Sequence, residues 1–144
     1  MVEQYITWLK DRCFHPDALE ERGFNGNTPL LLAALEANAM MVSRLIEAGA
    51  DLYAVNDDFN GVLFNAAYGG SVEIIRLLIE AGADIDDINE EGTTALMYAA
   101  SASRLECVRI LLSLGANPHL ENEDGFSALE LTTNREIFKV LRSA

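Results

Sequence analysis

Apolar residues recur three and four positions apart in short stretches along the chain, and polar or turn-forming residues separate the stretches. The first carries Val2, Tyr5, Ile6, Leu9 and Cys13 on one side. Later ones carry Val42, Leu45 and Ile46, then Ile75, Leu78 and Ile79, then Val108, Leu111 and Leu112. This spacing belongs to an amphipathic helix, whose turn brings such positions to one face. It predicts helices over 2–13, 28–37, 39–48, 62–69, 72–81, 94–102, 104–113, 127–133 and 135–142, with the nine aliphatic residues of the later faces buried. His15-Pro16-Asp17 is read as the end of the first helix, because proline disfavours helical geometry in the residue before it. Thr28-Pro29 opens the second: a threonine hydroxyl accepts from free backbone N–H groups, and proline suits the first helical position. Gly49 ends the third, since glycine takes the left-handed conformation that closes many helices.

These elements recur at a fixed period. Gly49-Ala50-Asp51, Gly82-Ala83-Asp84 and Gly115-Ala116-Asn117 stand 33 residues apart. The same shift superposes Ala33-Ala34, Ala66-Ala67 and Ala99-Ala100, then Leu30, Leu63, Leu96 and Leu129, then Asn56, Asn89 and Asn122. A period of roughly 20–50 residues marks a solenoid, whose units bury their apolar faces only by stacking. The chain therefore divides, as a single domain of 1–144, into a half-repeat cap (1–22), full repeats (23–55, 56–88 and 89–121) and a truncated cap repeat (122–144). Shifted by 33, the first helix falls over 35–46, and Tyr5 and Trp8 would close the open end of the stack. The last unit is in register through Leu129, but Thr132-Thr133 stands in place of the alanine pair. Its final helix matches Glu106–Leu111 only with a three-residue deletion. Terminal units of a solenoid are atypical because one face meets water.

Thr28-Pro29-Leu30-Leu31-Leu32-Ala33-Ala34 with Gly49-Ala50-Asp51 at this period resembles the ankyrin repeat. The resemblance implies an all-α solenoid of helix-turn-helix units with β-hairpin-like finger loops projecting sideways. There are departures. The histidine usual after the first leucine is Leu31, Phe64, Met97 and Glu130 here, and the usual Gly-His between helices is Ala37-Asn38, Gly70-Ser71 and Ser103-Arg104. Such irregularity argues against a consensus-designed array. The resemblance also implies binding through the finger tips and the concave face of the inner helices. Carried over position by position, the tips are Asp57, Asp58 and Asn60; Glu90, Glu91 and Thr93; and Glu123, Asp124 and Phe126. The concave positions are Leu35, Glu36, Tyr68, Gly69, Ser101 and Ala102. Tyr68, with Gly69-Gly70 behind it, is the anchor candidate, because a rigid aromatic beside little bulk makes a strong contact. Phe64 is read as packing inside the stack, whereas Phe59 and Phe126 stay open between packing and contact. Asn65 takes the place of Leu32, Tyr98 and Leu131, and either hydrogen-bonds locally or marks a distorted second unit.

Charge sharpens the picture. The chain has 23 acids against 10 Lys and Arg, a net charge of −13. Eleven of the acids fall in the three fingers: Asp51, Asp57 and Asp58; Asp84, Asp86, Asp87, Glu90 and Glu91; Glu121, Glu123 and Asp124. No Lys or Arg lies within 49–61, 82–92 or 115–125. Stacked fingers would thus form a negative edge whose self-repulsion weakens the fold, and a basic partner is one reason to tolerate it. Solubility is the other. The complete exclusion of cations favours the partner. The same sign argues against nucleic acid and anionic membranes. The apolar runs are too short and broken to span a bilayer, and the start lacks the basic flank and apolar stretch of a secretory signal. Cys13 and Cys107, scattered among apolar residues at helical spacing, are read as buried thiols of a reducing cytosol.

Candidate chemistry changes little. His15 and His119 have no nucleophile motif near them. Asp84-Ile85-Asp86-Asp87-Ile88-Asn89 has the carboxylates of a calcium loop but lacks its turn glycine and its closing glutamate. A phosphate-binding glycine loop and zinc spacing are both missing from the sequence. No catalytic residue, metal ligand or cofactor is assigned. The sequence reads as a cytoplasmic, monomeric, non-catalytic protein-protein interaction module that binds a basic protein. A narrower form is an inhibitor or immunity protein that neutralises a basic enzyme such as a nuclease toxin, with carboxylates where phosphates would sit. The presence of both end caps favours that form or a small adaptor over a module cut from a scaffold. An enzyme or metal protein is the reading the motif census opposes.

Overall fold

Short polar side chains open most of the helices, and left-handed residues close them. The computed structural model describes residues 2–144, so Met1, the first residue of the predicted cap, lies outside the described residues. Among those residues the nine predicted helices form: α1 (Val2–Asp11), α2 (Pro29–Leu35), α3 (Ala39–Glu47), α4 (Val62–Gly69), α5 (Val72–Glu80), α6 (Ala95–Ser101), α7 (Leu105–Ser113), α8 (Ala128–Leu131) and α9 (Arg135–Arg142). A tight turn, Phe24–Gly26, in which Asn25 (φ 56°) and Gly26 (φ 66°) are left-handed, precedes α2. Thr28 Oγ1 accepts from the Leu31 N–H at 3.3 Å, Thr94 Oγ1 from Met97 at 3.1 Å and Ser71 Oγ from Ile74 at 3.2 Å. These bonds satisfy N–H groups that have no partner within the helix. Among the described residues there is no strand, only an antiparallel bridge between Ile88 and Thr94, and no helix is long and apolar enough to cross a membrane.

Stacking produces two helical rows. Helices α2, α4, α6 and α8 pack in sequence as an inner row, α3, α5, α7 and α9 as an outer row, and each inner helix packs on the outer helix that follows it. The alanine pairs are fully buried, which lets neighbouring inner helices approach closely. Gly69 extends the same requirement to the end of α4, because a Cβ there would stand 2.8 Å from the Ala34 carbonyl oxygen of α2. Of the predicted core, Val42, Leu45, Ile75, Leu78, Val108 and Leu111 are fully buried. Ile46, Ile79 and Leu112 are only half-buried. Each follows a fully buried residue and so sits about 100° further round its helix, at the margin of the packed face.

Three further expectations are corrected. Helix α1 ends at Asp11, well before Pro16. Cys13 is left-handed (φ 62°), the Cys13 N–H donates to the Lys10 carbonyl at 3.0 Å, and the Phe14 N–H donates to the Leu9 carbonyl at 2.9 Å. This is the Schellman ending, and it turns the Cys13 side chain outward, so Cys13 is exposed while Cys107 is buried. Second, the counterpart of Cys13 is Gly49, whose next residue, Ala50, donates in the same way to Leu45. The offset there is 36 rather than 33, because the first finger carries three more residues. Third, α8 is shorter than predicted. Thr132 is extended (ψ 139°), which ends α8, and its Oγ1 accepts from the Asn134 N–H at 3.1 Å just ahead of α9. At the other end Trp8 is buried and Tyr5 half-buried. The Trp8 indole N–H and Arg12 Nε both donate to Glu36, at 3.2 and 2.9 Å, and the guanidinium lies 4.5 Å from the Trp8 ring centre. This cluster clamps α1 to the end of α2.

Candidate functional site

The fingers are built by three asparagines at the 33-residue period. Asn56 Oδ1 accepts from the Asp58 and Asn60 N–H groups, Asn89 Oδ1 from Glu91 and Thr93, and Asn122 Oδ1 from Asp124 and Phe126, all at 3.0–3.1 Å. Each asparagine N–H also donates to the carbonyl four residues on, at Asn60, Thr93 and Phe126. The chain reverses only if the third residue after the asparagine is left-handed, and Phe59 (φ 59°), Gly92 (73°) and Gly125 (81°) are. The two residues before that point project as the tip. Asp57 and Asp58, Glu90 and Glu91, and Glu123 and Asp124 are accordingly exposed. Two of the three neighbouring pairs of tips are joined by the backbone: the Asp57 N–H donates to the Asn25 carbonyl at 3.0 Å, and the Glu123 N–H to the Glu91 carbonyl at 3.0 Å.

The acids divide into two kinds. Asp51, Asp84, Asp86 and Asp87 accept backbone N–H groups from Tyr53, Asp86, Asn117 and Ile88, and so brace the finger shafts. Asp58 accepts from Asn25 Nδ2 at 2.8 Å. Asp57, Glu90, Glu91, Glu121, Glu123 and Asp124 have no side-chain partner among the described residues. Among the described residues the Lys and Arg ion pairs join Arg12 to Glu36, Arg109 to Glu106 and Lys139 to Glu136, and none of these reaches the three acidic fingers. Arg22, in the first finger, donates to the carbonyls of Gly26 and Val55. Burial, helped by the nearby Asp84, pushes the Asp87 carboxyl above its ordinary value against the opposing Ile88 N–H.

The remaining candidates fall in two places. Asn60 and Thr93 are half-buried, and both close turns with their backbone groups, while Asn60 Oδ1 accepts from Asn89 Nδ2 at 3.0 Å. Phe126 is exposed beside the last tip. Tyr68 is 53% exposed at the far end of α4 and stacks on Tyr98, with ring centres 5.7 Å apart. Tyr98 meets the half-buried Phe64 at 4.7 Å. Burial raises the Tyr98 phenol above its usual range, Arg104 opposes this, and Tyr68 adds to it. Ser101 is exposed on α6 and donates to the Tyr98 carbonyl. The structure thus brings the six tip acids into one row, and separates them from Tyr68 and Ser101 by the length of an inner helix, about 12 Å for eight residues.

Asn65 hydrogen-bonds across units rather than locally. Buried in α4, it donates through Nδ2 to the Leu31 carbonyl at 2.9 Å and to Asn27 Oδ1 at 3.3 Å, and Asn27 Oδ1 also accepts from Asn56 Nδ2. The second unit is tied to the first through these amides. Two features escaped the sequence reading. The first finger, at the end of the predicted cap, has a tip of its own, and its Phe24 is 91% exposed. The signal was present, since Phe24 stands one period before Asp57. Tyr53 and Ile88 are also exposed on the finger shafts.

Compared with known proteins, the chain matches the family model described as ankyrin repeats (3 copies) over residues 3–89, 41–122 and 63–143. Among solved structures it is similar to that of the ankyrin repeat domain of Bcl-3, described as a unique member of the IkappaB protein family. The two share 30% identity at a TM-score of 0.80, over 86% of this chain and 55% of that one. The chain therefore spans about half the length of that structure. No curated protein matches the sequence.

Proposed function

Because this chain belongs to the ankyrin repeat family of protein-protein interaction modules, we propose that it is a non-catalytic binding module for a protein with a basic surface. The acidic tips and the concave face around Tyr68 and Ser101 take the partner. In this reading Asp57, Asp58, Glu90, Glu91, Glu123 and Asp124 meet cations, and Asn60, Thr93 and Phe126 border them. Residues 1–22 and 122–144 serve as caps around the repeats 23–55, 56–88 and 89–121. The module acts as a monomer in the cytoplasm and binds neither nucleic acid nor membranes, which its net charge of −13 would repel.

Support comes from one observation above the others: the tip carboxylates have no cation bonded to them among the described residues. Carboxylates that bond within the chain explain themselves, and Asp57, Glu90, Glu91, Glu123 and Asp124 do not. Affinity capture with the wild-type protein and with an Asp57→Lys/Asp58→Lys/Glu90→Lys/Glu91→Lys variant tests the reading. A basic protein, identified by mass spectrometry, should be retained by the wild type and lost by the variant. Equal retention by both would contradict it. If the captured protein is an enzyme, its activity in the complex separates an inhibitor or immunity protein from an adaptor.

A further inference from the structure

The row of tips changes character along its length. Phe24, Asp57, Glu90 and Glu123 occupy the same place in successive units, so one end of the edge is apolar and the rest is acidic. Phe59 strengthens the apolar end: it is 51% exposed, and its tip is bonded to the tip that carries Phe24 through Asn25. Its backbone is unusual as well. At the equivalent places Gly26, Gly92 and Gly125 take the left-handed conformation that glycine adopts freely, and there Phe59 holds φ 59°. The turn favours glycine at that point, and a large exposed ring contributes nothing to forming it.

We propose that this edge receives an extended segment of its basic partner, led by apolar residues that pack on Phe24 and Phe59 and followed by Lys or Arg at about every third position. The inference rests on the protein-binding reading above and names the chemistry of the bound segment. Charge complementarity selects the cations, since Glu90, Glu91, Glu123 and Asp124 face solvent without partners among the described residues. Spacing selects the register. Packed helices stand roughly 8–10 Å apart, and an extended chain rises about 3.3 Å per residue, so three partner residues span one unit. Exposed aromatic rings are effective anchors because they bury large area at little entropic cost.

The test uses fluorescence anisotropy with the full chain and three labelled synthetic peptides of equal charge at low salt. The first has two leucines followed by lysine at every third position, the second replaces the leucines by serine, and the third clusters the lysines. The first should bind about tenfold more tightly than the other two. Phe24→Ser and Phe59→Gly should each erase most of that advantage and leave the second peptide unaffected. Phe59→Gly should also raise the melting temperature by roughly 2–4 °C, because glycine fits the left-handed turn, so lost binding could not be ascribed to unfolding. Equal binding of the first and second peptides overturns the anchor, and equal binding of the first and third overturns the register. In either case, loss of both peptides by the four-lysine variant leaves the acidic reading standing. If no peptide binds, the inference fails, and the protein-binding reading is judged separately by affinity capture.

Discussion

The inner helices offer an internal experiment on backbone strain. Helices α2, α4 and α6 end alike: the Asn38 N–H donates to Ala33 at 2.9 Å, Ser71 to Ala66 at 3.3 Å and Arg104 to Ala99 at 2.8 Å. The residue before each donor is left-handed, at Ala37 (φ 56°), Gly70 (76°) and Ser103 (58°). Only the middle one is glycine. A left-handed L-residue costs about 1–2 kcal/mol, and glycine's greater freedom in the unfolded chain returns about 0.5–1 kcal/mol of that. The balance predicts that Ala37→Gly and Ser103→Gly each stabilise by about 0.5–1 kcal/mol. Both side chains are exposed, so no packing is lost. The sites lie in different units, so the effects should add in the double variant and raise its melting temperature by about 4 °C. Gly70→Ala should act oppositely, since it adds strain and brings a Cβ to 3.1 Å from Arg104 Nη1. Thermal and urea unfolding followed by circular dichroism reads all three. A double variant no more stable than the wild type, or a harmless Gly70→Ala, would refute the reasoning.

Two further outcomes follow from burial. Leu78 is fully buried in α5 between α3 and α7, so Leu78→Ala should cost about 2–5 kcal/mol in urea unfolding; a loss well below that range would mean the outer row is loosely packed. Asp87 has its carboxyl value raised by burial and then by Asp84. The folded state therefore binds the proton more readily than the unfolded one, and stability falls as pH rises from the ordinary carboxylate range through the raised value. Asp87→Asn, which keeps an acceptor for the Ile88 N–H, should be more stable than the wild type at neutral pH and indistinguishable from it at about pH 3. An advantage that persists in acid would show that charge is not its cause.

The helices and the finger tips were legible because their signals are local and repeated. Thr28 and Pro29, the alanine pairs and the Gly-Ala-Asp phrases each act within a few residues, and the period confirms each by its neighbours. The exposure of Cys13 was not legible, because the longer first finger shifts the local offset from 33 to 36 and a left-handed residue, not Pro16, closes α1. The division of the acids was also hidden. Whether a carboxylate braces a backbone group or faces water depends on partners brought near by stacking, as when Asp86 accepts from Asn117. Arg22 illustrates the same limit: it stands outside the three acidic segments in sequence and yet reaches the Val55 carbonyl of one of them. The role of Asn65 needed the fold too, since its partners Leu31 and Asn27 belong to the preceding unit.

The central claim is that the finger acids steer and hold a basic partner. Once affinity capture has supplied that partner, association and dissociation rates at two salt concentrations test the claim most directly. Reversal of Asp57, Asp58, Glu90 and Glu91 to Lys should slow association strongly at low salt. The difference should shrink as salt rises, because the screening length is about 8 Å at physiological ionic strength. Tyr68→Ala should instead speed dissociation with little salt dependence, as expected when buried aromatic area is lost. Unchanged association after reversal of all four charges would contradict the account and leave the acidic edge as a device for solubility.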